Sequence, residues 1–268
     1  MHSEAPIGVF DSGVGGLTVA REIMSQLPNE TIIYFGDTAR VPYGNKSKET
    51  VITYSRQIIQ FLLTKQVKAI VIACNTASAF ALEAMQKEVS IPIIGVVKPG
   101  AKMAAETTKN QKIGVIATEG TINSHIYTDY LSKTNPDVQV FGKACPLFVP
   151  LVEEGWIEDP ITTEIASRYL EELKQSEVDT LVLGCTHYPL LRQTVQQIMG
   201  DKVTLVNPAY ETAKRLTQVL EEQNLLNKNM PVAHKFFVSD GAEKFKAFAN
   251  TILPCEVEET KDINIEQY

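Results

Sequence analysis

Short apolar runs rich in valine and isoleucine alternate with longer amphipathic stretches along almost the whole of this 268-residue chain. The runs predict strands at 7–10, 31–36, 69–73, 91–97, 112–117, 138–141, 180–183, 203–206 and 235–238. Apolar residues at helical spacing predict helices at 48–64, 77–88, 162–174 and 211–222. Because parallel strands need crossover connections, which helices supply, the alternation predicts an α/β fold with mainly parallel sheets flanked by helices. The runs are almost continuously apolar, so we expect both faces of each sheet to be covered.

Two stretches of the chain occur twice, in the same order. The segment PIGVFDSG at 6–13 resembles KIGVIATEG at 112–120, with an offset of 106 residues (7 to 113). The segments VIACNT and VLGCTH each place a cysteine, Cys74 or Cys185, directly after an apolar run, with an offset of 111 (74 to 185). Two matches at nearly the same offset predict that the chain contains two related halves.

The repeat also predicts the domain organisation. The break between the halves falls after the predicted strand that ends at 97. The residues after 206 are too few for a third domain of this type, so we expect them to return to the first half. We therefore expect two similar α/β domains, one comprising 1–97 plus 207–268 and the other comprising 98–206.

Composition argues against several function classes. The hydrophobic content of 44% and the charged content of 21% are those of an ordinary globular protein. The net charge of −7 argues against a nucleic acid or a membrane surface as the main partner. The start, MHSEAP, shows no signal peptide, and no apolar run approaches the roughly 18 residues of a membrane-spanning helix. With four cysteines and no CxxC spacing, these features predict a cytoplasmic protein with reduced thiols.

Cys74 and Cys185 are the strongest candidates for chemistry. Ligands of parallel α/β sheets bind beyond the carboxyl ends of the strands, and both cysteines directly follow a predicted strand. We expect each to lead into a helix N-terminus, whose amides and dipole favour a thiolate. Two such thiols fit a two-base proton transfer, whereas the alternative for each is a small buried hydrophobe. That alternative is our interpretation of Cys145 and Cys255, which lack a matching polar setting.

His187 and Asp11 are the next candidates. His187 lies two residues after Cys185 and is either a structural histidine or a group that stabilises a thiolate or passes a proton. Asp11 fits both a turn or helix cap and a carboxylate that holds an ammonium group or assists a thiol. The following glycines do not complete a dinucleotide fingerprint, because Thr18 stands where its last glycine belongs. A tight turn that brings backbone amides to a small carboxylate explains these glycines equally well.

The sequence contains no motif for a metal or a cofactor. HExxH and paired CxxC motifs are missing, and so is the GxSxG turn of the α/β hydrolases. No lysine occupies a comparable position at a strand end, as a pyridoxal phosphate enzyme would require. We therefore predict no metal and no cofactor.

Five sequence blocks carry a resemblance to a known family. They read GVFDSGVGGLT at 8–18, GDTARVPYG at 36–44, ACNTAS at 73–78, PLFVPLVEEG at 146–155 and LGCTHYP at 183–189. In these blocks the chain resembles the glutamate racemases, cofactor-independent enzymes that supply D-glutamate for peptidoglycan. The blocks span nearly the whole chain in order, which makes them far more specific than any single motif.

The resemblance implies a role for each matched residue. Cys74 and Cys185 correspond to the acid–base pair, one on each face of the substrate α-carbon, and Asp11, Glu154 and His187 correspond to residues that assist proton transfer. The substrate-binding positions correspond to Asp11, Ser12, Tyr43, Gly44, Asn75, Thr76, Thr186 and His187. Glu154 also fits a solvated surface carboxylate. The resemblance further implies two similar α/β domains with the active site in the cleft between them, and a homodimer.

Two other functions stay open from the residues alone, and a third, which the resemblance suggests, is disfavoured. A racemase of the same superfamily could act on aspartate or a hydantoin, since the side-chain pocket cannot be built from sequence. A non-catalytic, two-lobed amino-acid binder has no need for two symmetric thiols. An interaction protein that inhibits gyrase is disfavoured, because the chain shows no acidic stripe or long extension.

Overall fold

The computed structural model describes residues 2–231 and 233–268. The strands are β1 (Ile7–Asp11), β2 (Ile32–Gly36), β3 (Ala69–Ile72), β4 (Ile93–Gly95), β5 (Lys112–Ala117), β6 (Gln139–Ala144), β7 (Thr180–Gly184), β8 (Thr204–Val206), β9 (Lys235–Val238) and β10 (Thr260–Asp262). The helices are α1 (Leu17–Gln26), α2 (Lys48–Thr64), α3 (Asn75–Glu88), α4 (Val97–Thr107), α5 (Glu119–Asn123), α6 (Ile126–Thr134), α7 (Phe148–Glu153), α8 (Pro160–Gln175), α9 (Arg192–Met199), α10 (Pro208–Glu222) and α11 (Ala242–Ile252). Helices alternate with parallel strands, which confirms the predicted α/β fold.

The clearest departures from the predicted strands are β4 and β10. The predicted strand at 91–97 is too long, because the amide of Val96 donates to Ser78 Oγ at 3.2 Å and Val97 already begins α4. β10 was not predicted, since its sequence, Thr-Lys-Asp, has no apolar pattern and two of its three residues are exposed. β4 and β10 are the two edge strands of one sheet. At such an edge a strand like β10 can pair through its backbone without apolar side chains.

The larger sheet belongs to a compact unit formed by the residues up to Val96 together with Ala209–Tyr268. Its strand order is β10-β9-β2-β1-β3-β4, and every neighbouring pair is parallel. Val9 belongs to the buried cluster that includes side chains of α1, α10 and α11, whereas Phe10 belongs to the cluster that includes side chains of α2 and α3. Successive side chains of the strands are therefore buried on opposite faces, as the continuous apolar runs predicted.

The smaller sheet belongs to a second compact unit, Val97–Pro208. Its strand order is β6-β5-β7-β8, again with every neighbouring pair parallel. Val115 and Val182 pack on one face with side chains of α4 and α6, while Ile116 and Leu183, which alternate with them, are also buried. Both faces of this sheet are covered too.

The two sheets repeat one four-strand arrangement. The order β2-β1-β3-β4 in the larger sheet matches β6-β5-β7-β8 in the smaller one. The register repeats as well, with Phe10 opposite Ile72 in one sheet and Ile116 opposite Leu183 in the other. Cys74 and Cys185 each lie two residues beyond the β3 or β7 member of these pairs. The two thiols therefore occupy equivalent positions at the carboxyl ends of equivalent strands.

No helix within the described residues has the length and hydropathy needed to cross a bilayer.

A buried ion pair ties distant segments of the larger unit together. Lys68 Nζ lies 2.5 Å from Glu30 Oε2, and both side chains are buried. Lys68 also donates to the carbonyl oxygens of Leu225, at 2.8 Å, and of Ser3. Glu30 Oε1 accepts the amide of Asn227 at 2.8 Å. Burial lowers the pKa of Lys68, although the hydrogen bond to Glu30 opposes that shift.

Lys68→Met is expected to lower the free energy of unfolding by about 3–5 kcal/mol, because it leaves the Glu30 carboxylate buried without its cation. Arg56→Met is the control, since Arg56 forms an exposed ion pair with Glu88 at 2.8 Å, and such pairs contribute at most about 1 kcal/mol. Urea unfolding measures both variants. The double variant Lys68→Met/Glu30→Leu is expected to regain most of the loss, and equal losses for Lys68→Met and Arg56→Met would contradict this role.

Candidate active site

Cys74 caps the N-terminus of α3. Its Sγ accepts the amide of Ala77 at 3.5 Å, and its carbonyl oxygen accepts the amide of Ser78 at 2.8 Å. Only 6% of the residue is exposed. The amides and dipole of a helix N-terminus favour negative charge, so this position favours a thiolate. As predicted, Cys74 leads directly into a helix.

Asp11 closes the tight turn that follows β1. Its Oδ2 accepts the amides of Gly13 at 3.1 Å and Gly16 at 2.9 Å, and the side chain is fully buried. A Cβ at Gly16 would lie 2.4 Å from the Cβ of Asp11, so only glycine permits this approach. In the structure these two amides bind the carboxylate of Asp11 itself, and the interpretation that the turn binds a ligand carboxylate stays a prediction. Because α1 begins at Leu17 with Gly16 as its cap, Asp11 is a turn residue and not a helix cap.

Ser12 connects this turn to the first thiol. The Ser12 hydroxyl oxygen lies 3.8 Å from Cys74 Sγ, a hydrogen-bond distance for sulfur. The approach follows from the sheet, because β1 and β3 are adjacent parallel strands whose carboxyl ends share one edge. Asn75 and Thr76 form the buried first turn of α3 at the same edge. The larger unit thus brings Asp11, Ser12, Cys74, Asn75 and Thr76 together.

Tyr43 and Gly44 lie on a loop that an acidic residue holds in place. The ring of Tyr43 is buried, and its hydroxyl donates to Asp37 Oδ2. Asp37 also accepts Arg40 Nε, at 2.8 Å to Oδ2 and 3.0 Å to Oδ1. Burial, and then the charge of Asp37, raises the pKa of Tyr43, so its hydroxyl is a donor at neutral pH. Because the Tyr43 hydroxyl already donates to Asp37, we expect this loop to bind a ligand through the backbone at Gly44.

Cys185 follows β7 and contacts a histidine. Cys185 Sγ lies 3.8 Å from His187 Nδ1, and His187 Nε2 lies 3.0 Å from Glu153 Oε1. Cys185 and His187 are buried, as is Thr186 between them. Glu153, the last residue of α7, keeps 27% of its side chain exposed. Such a chain of cysteine, histidine and carboxylate can orient the imidazole and stabilise a thiolate.

Cys185 does not cap a helix, which corrects the sequence prediction. The next turn is a 3₁₀ turn that starts at Tyr188, whose amide donates to the Cys185 carbonyl oxygen at 3.1 Å. Pro189 has no N–H for the i→i−4 bond that an α-helix starting at Cys185 would need. The polar support of the second thiol therefore comes from His187.

Cys145 and Cys255 differ from these two cysteines. Burial raises the pKa of both thiols, so they are protonated at neutral pH and poor bases. This supports their interpretation as structural residues. Within residues 2–231 and 233–268, no group of three or more His, Cys, Asp or Glu side chains is arranged to hold a metal ion.

Comparison with known proteins places this geometry in a family. The sequence model of the Asp/Glu/hydantoin racemase family matches residues 7–216. The glutamate racemase of Geobacter metallireducens is 49% identical over 261 residues, which cover 97% of each chain. The crystal structure of glutamate racemase isoform RacE1 from Bacillus anthracis gives a TM-score of 0.95 at 41% identity and covers 98% of each chain. The chain belongs to the Asp/Glu/hydantoin racemase family.

A further relative of the same racemase family has been solved with an amino acid. The structure of the glutamate racemase from Francisella tularensis, in complex with D-glutamate, gives a TM-score of 0.93 at 39% identity, covering 99% of this chain and 100% of that one. The family, together with glutamate racemases that match nearly the whole chain, makes this protein an amino-acid racemase.

The structure brings a different carboxylate of the block PLFVPLVEEG to His187 than the resemblance implied. The resemblance implied Glu154 as the carboxylate that assists proton transfer, but Glu154 is exposed at the end of α7. The carboxylate that meets His187 is that of the preceding residue, Glu153. Of the two carboxylates in this block, the structure therefore brings Glu153, and not Glu154, to His187.

Sequence reasoning also passed over Asp37 and Arg40, which hold the Tyr43 loop. Asp37 directly follows β2, the strand next to β1, and it is fully buried. The rule that selected the two cysteines, a polar side chain at the carboxyl end of a parallel strand, also applies to Asp37. Its position within the block GDTARVPYG was a second available signal.

Proposed function

We propose that this racemase interconverts L- and D-glutamate at the α-carbon without a cofactor, with Cys74 and Cys185 as its two acid–base groups. The observation that carries the proposal is the equivalent position of the two thiols at β3 and β7 of two repeated sheets. Each thiol also has its own polar support. Glutamate is the proposed substrate because the relatives at 39–49% identity are glutamate racemases over nearly their whole length.

The proposed chemistry is a proton exchange between the substrate and two thiols. The α-proton of an amino acid is very weakly acidic, and no cofactor takes up the charge that its removal creates. One thiolate removes this proton, and the opposite thiol donates its own proton to the other face of the carbon. The substrate is inverted, the first cysteine becomes a thiol and the second becomes a thiolate. Since the pair must hold one proton between them, the two thiols titrate as a coupled unit.

Each thiol has a separate group of assisting residues in this scheme. Asp11 and Ser12 act beside Cys74, where the Ser12 hydroxyl lies 3.8 Å from the sulfur. His187 acts beside Cys185 and is oriented by Glu153. In the repeated sheets Asp11 corresponds to Ala117, so the second thiol lacks a carboxylate at that point. On the Cys185 side the carboxylate comes instead from Glu153, at the end of α7.

The remaining polar residues at the strand ends are proposed to bind the amino acid. They are Asp11, Ser12, Tyr43, Gly44, Asn75, Thr76, Thr186 and His187. Backbone amides and hydroxyls around the substrate carboxylate stabilise the charge that develops when the α-proton leaves. Tyr43 contributes through its backbone, because its hydroxyl is bonded to Asp37.

The biological setting completes the proposal. The two compact units serve as the two domains of the enzyme, with the C-terminal segment belonging to the first. The enzyme works as a homodimer in the cytoplasm, where it supplies D-glutamate for peptidoglycan. It needs no nucleic acid or membrane as a partner.

Circular-dichroism polarimetry of the purified protein with L-glutamate, without added cofactor, tests the proposal. The optical signal is expected to decay to zero with the wild type and to persist with Cys185→Ala. L-Aspartate is the parallel substrate, and decay with aspartate alone would keep the mechanism and change the substrate. No decay with either amino acid, together with glutamate binding measured by calorimetry, would contradict the proposal in favour of a non-catalytic binder.

A further inference from the structure

Two buried tyrosines stand beside the two thiols, and the proposed chemistry uses neither. Tyr34 lies in β2 and Tyr188 directly follows His187, and both are fully buried. Each hydroxyl donates to a backbone carbonyl oxygen, at 2.9 Å for Tyr34 and 2.8 Å for Tyr188. The Tyr34 acceptor, Gly13, lies in the turn that Asp11 closes, and the Tyr188 acceptor, Cys145, lies just before α7, which ends at Glu153.

Tyr34 fixes the turn that contains Asp11. Its hydroxyl donates to the carbonyl oxygen of Gly13, while the amide of Gly13 donates to the Asp11 carboxylate. A Cβ at Gly16 would lie 2.6 Å from the Tyr34 hydroxyl and 2.4 Å from the Cβ of Asp11, so both side chains pack closely against Gly16. The ring of Tyr34 is held by Phe245, with centroids 5.6 Å apart. The hydroxyl therefore sets the orientation of the turn that brings Ser12 to Cys74.

Tyr188 fixes the start of the helix that ends in Glu153. Its hydroxyl donates to the carbonyl oxygen of Cys145, which also accepts the amide of Phe148, the first residue of α7. The ring of Tyr188 meets that of Phe148 edge to face, with centroids 5.1 Å apart at 85°. His187 bonds Glu153 at the other end of α7. Two consecutive residues thus hold this short helix at both ends.

Both hydroxyls are donors and not bases at neutral pH. Burial raises the pKa of Tyr34 well above its ordinary value, and the charges of Asp11 and Cys74 raise it further. Burial also raises the pKa of Tyr188, followed by the charges of Cys185 and Cys145. A hydroxyl that stays protonated and donates to a carbonyl oxygen holds backbone in place and does not exchange protons with a substrate.

We propose that Tyr34 and Tyr188 are matched positioning residues, each aligning the assisting groups of one thiol and so controlling one half of the proton exchange. The inference rests on the proposed two-thiol racemisation. Tyr34 acts through Gly13 on Asp11 and Ser12, and Tyr188 acts through α7 on Glu153 and His187. Each residue therefore governs removal of the α-proton from one enantiomer only.

The test uses the L- and D-enantiomers of 3-chloroglutamate, which carry a leaving group on the β-carbon. Removal of the α-proton by one thiolate expels chloride from the β-carbon and leaves an enamine. The enamine tautomerises to an imine, which water hydrolyses to 2-oxoglutarate and ammonium. Only the thiol that faces the α-proton is needed, so the elimination rate of each enantiomer reports one half-site. The enantiomer served by each thiol is identified with Cys74→Ser and Cys185→Ser.

Tyr34→Phe is expected to slow elimination from the enantiomer served by Cys74 about tenfold, and to change the other rate less than about twofold. Tyr188→Phe is expected to do the reverse. Tyr169→Phe is the matched control, because Tyr169 also meets Phe148 edge to face, at 5.4 Å. Among the described residues, its hydroxyl accepts a long hydrogen bond from the Leu147 amide, at 3.4 Å, whereas Tyr34 and Tyr188 donate shorter ones to carbonyl oxygens. We expect this control to slow neither enantiomer.

Selectivity for one enantiomer separates positioning from loss of folded protein, because unfolding lowers both rates equally. Equal slowing of both enantiomers, no slowing, or the same enantiomer slowed by both variants would overturn the inference while wild-type racemisation stood. A wild type that neither racemises glutamate nor eliminates chloride would overturn the proposed function, and the inference with it.

Discussion

Serine in place of Cys74 or Cys185 is expected to slow glutamate racemisation by up to about 10⁴-fold, the full contribution of a positioned proton-transfer group. A serine hydroxyl is almost never ionised at neutral pH, whereas a cysteine with an ordinary pKa of about 8.5 needs only a modest shift to become a thiolate. Each substitution removes one member of a coupled pair, so either one stops the exchange. Loss of the optical signal of L-glutamate, and separately of D-glutamate, measures the effect.

The two serine variants are expected to differ in the half-reaction that they retain. Cys74→Ser keeps the thiol at position 185 and should still eliminate chloride from one enantiomer of 3-chloroglutamate, while Cys185→Ser should process only the other. Release of 2-oxoglutarate, followed with a coupled dehydrogenase, reports both rates. Cys145→Ser is the control, because its thiol is protonated by burial and its substitution is expected to leave racemisation in place. Full racemisation by either active-site variant would contradict the two-thiol mechanism.

The positions of both thiols could be predicted from the apolar runs of the sequence and from the rule for where parallel sheets bind ligands. Continuous apolar runs identify buried parallel strands, and the ligand edge of such a sheet is the edge where the strands end. The structure repeats the strand register as well as the sequence. Ile72 and Leu183, each two residues before a thiol, pair with equivalent residues of β1 and β5. These features depend on local pattern and backbone hydrogen bonding, which the sequence expresses directly.

The surroundings of Cys185 could not be predicted in the same way. The sequence indicated a helix after both thiols, but Pro189 restricts the turn after Cys185 to a 3₁₀ conformation and moves the support of the thiol to His187. A single proline therefore prevents the second half from repeating the α-helix that directly follows Cys74 in the first half. The repeat therefore predicts where the two sulfur atoms lie along their strands but not what stabilises each one.

The choice between Glu153 and Glu154 depends on packing that no local pattern contains. Helix α7 buries Phe148, Leu151 and Val152 on one face. Successive residues of a helix are rotated by about 100° about its axis. Glu153 and Glu154 therefore lie on opposite sides of the exposed face, and both point well away from the buried face. Helical periodicity treats the two carboxylates almost alike. The position of His187 decides between them, and that position is set by β7 and the turn after Cys185.

Glu153→Gln is expected to lower kcat for glutamate racemisation by about 10²-fold, near the lower end of the contribution of a proton-transfer group. The amide keeps the size of the side chain but removes the charge that faces His187 Nε2 at 3.0 Å. The substitution therefore weakens the orientation of the imidazole and its support of the Cys185 thiolate. KM is expected to change much less than kcat, because Glu153 meets His187 and is not among the proposed substrate-binding residues. Polarimetry over a range of glutamate concentrations separates the two constants.

Glu154→Gln is the matched control for this prediction, since it removes the same charge from the adjacent, exposed residue. We expect it to change kcat by less than about twofold, as for most exposed substitutions. With 3-chloroglutamate, Glu153→Gln should slow only the enantiomer served by Cys185, because its carboxylate reaches that thiol through His187. A large loss with Glu154→Gln and none with Glu153→Gln would return the assisting role to Glu154. Equal slowing of both enantiomers would instead assign Glu153 to the stability of the unit and not to its second thiol.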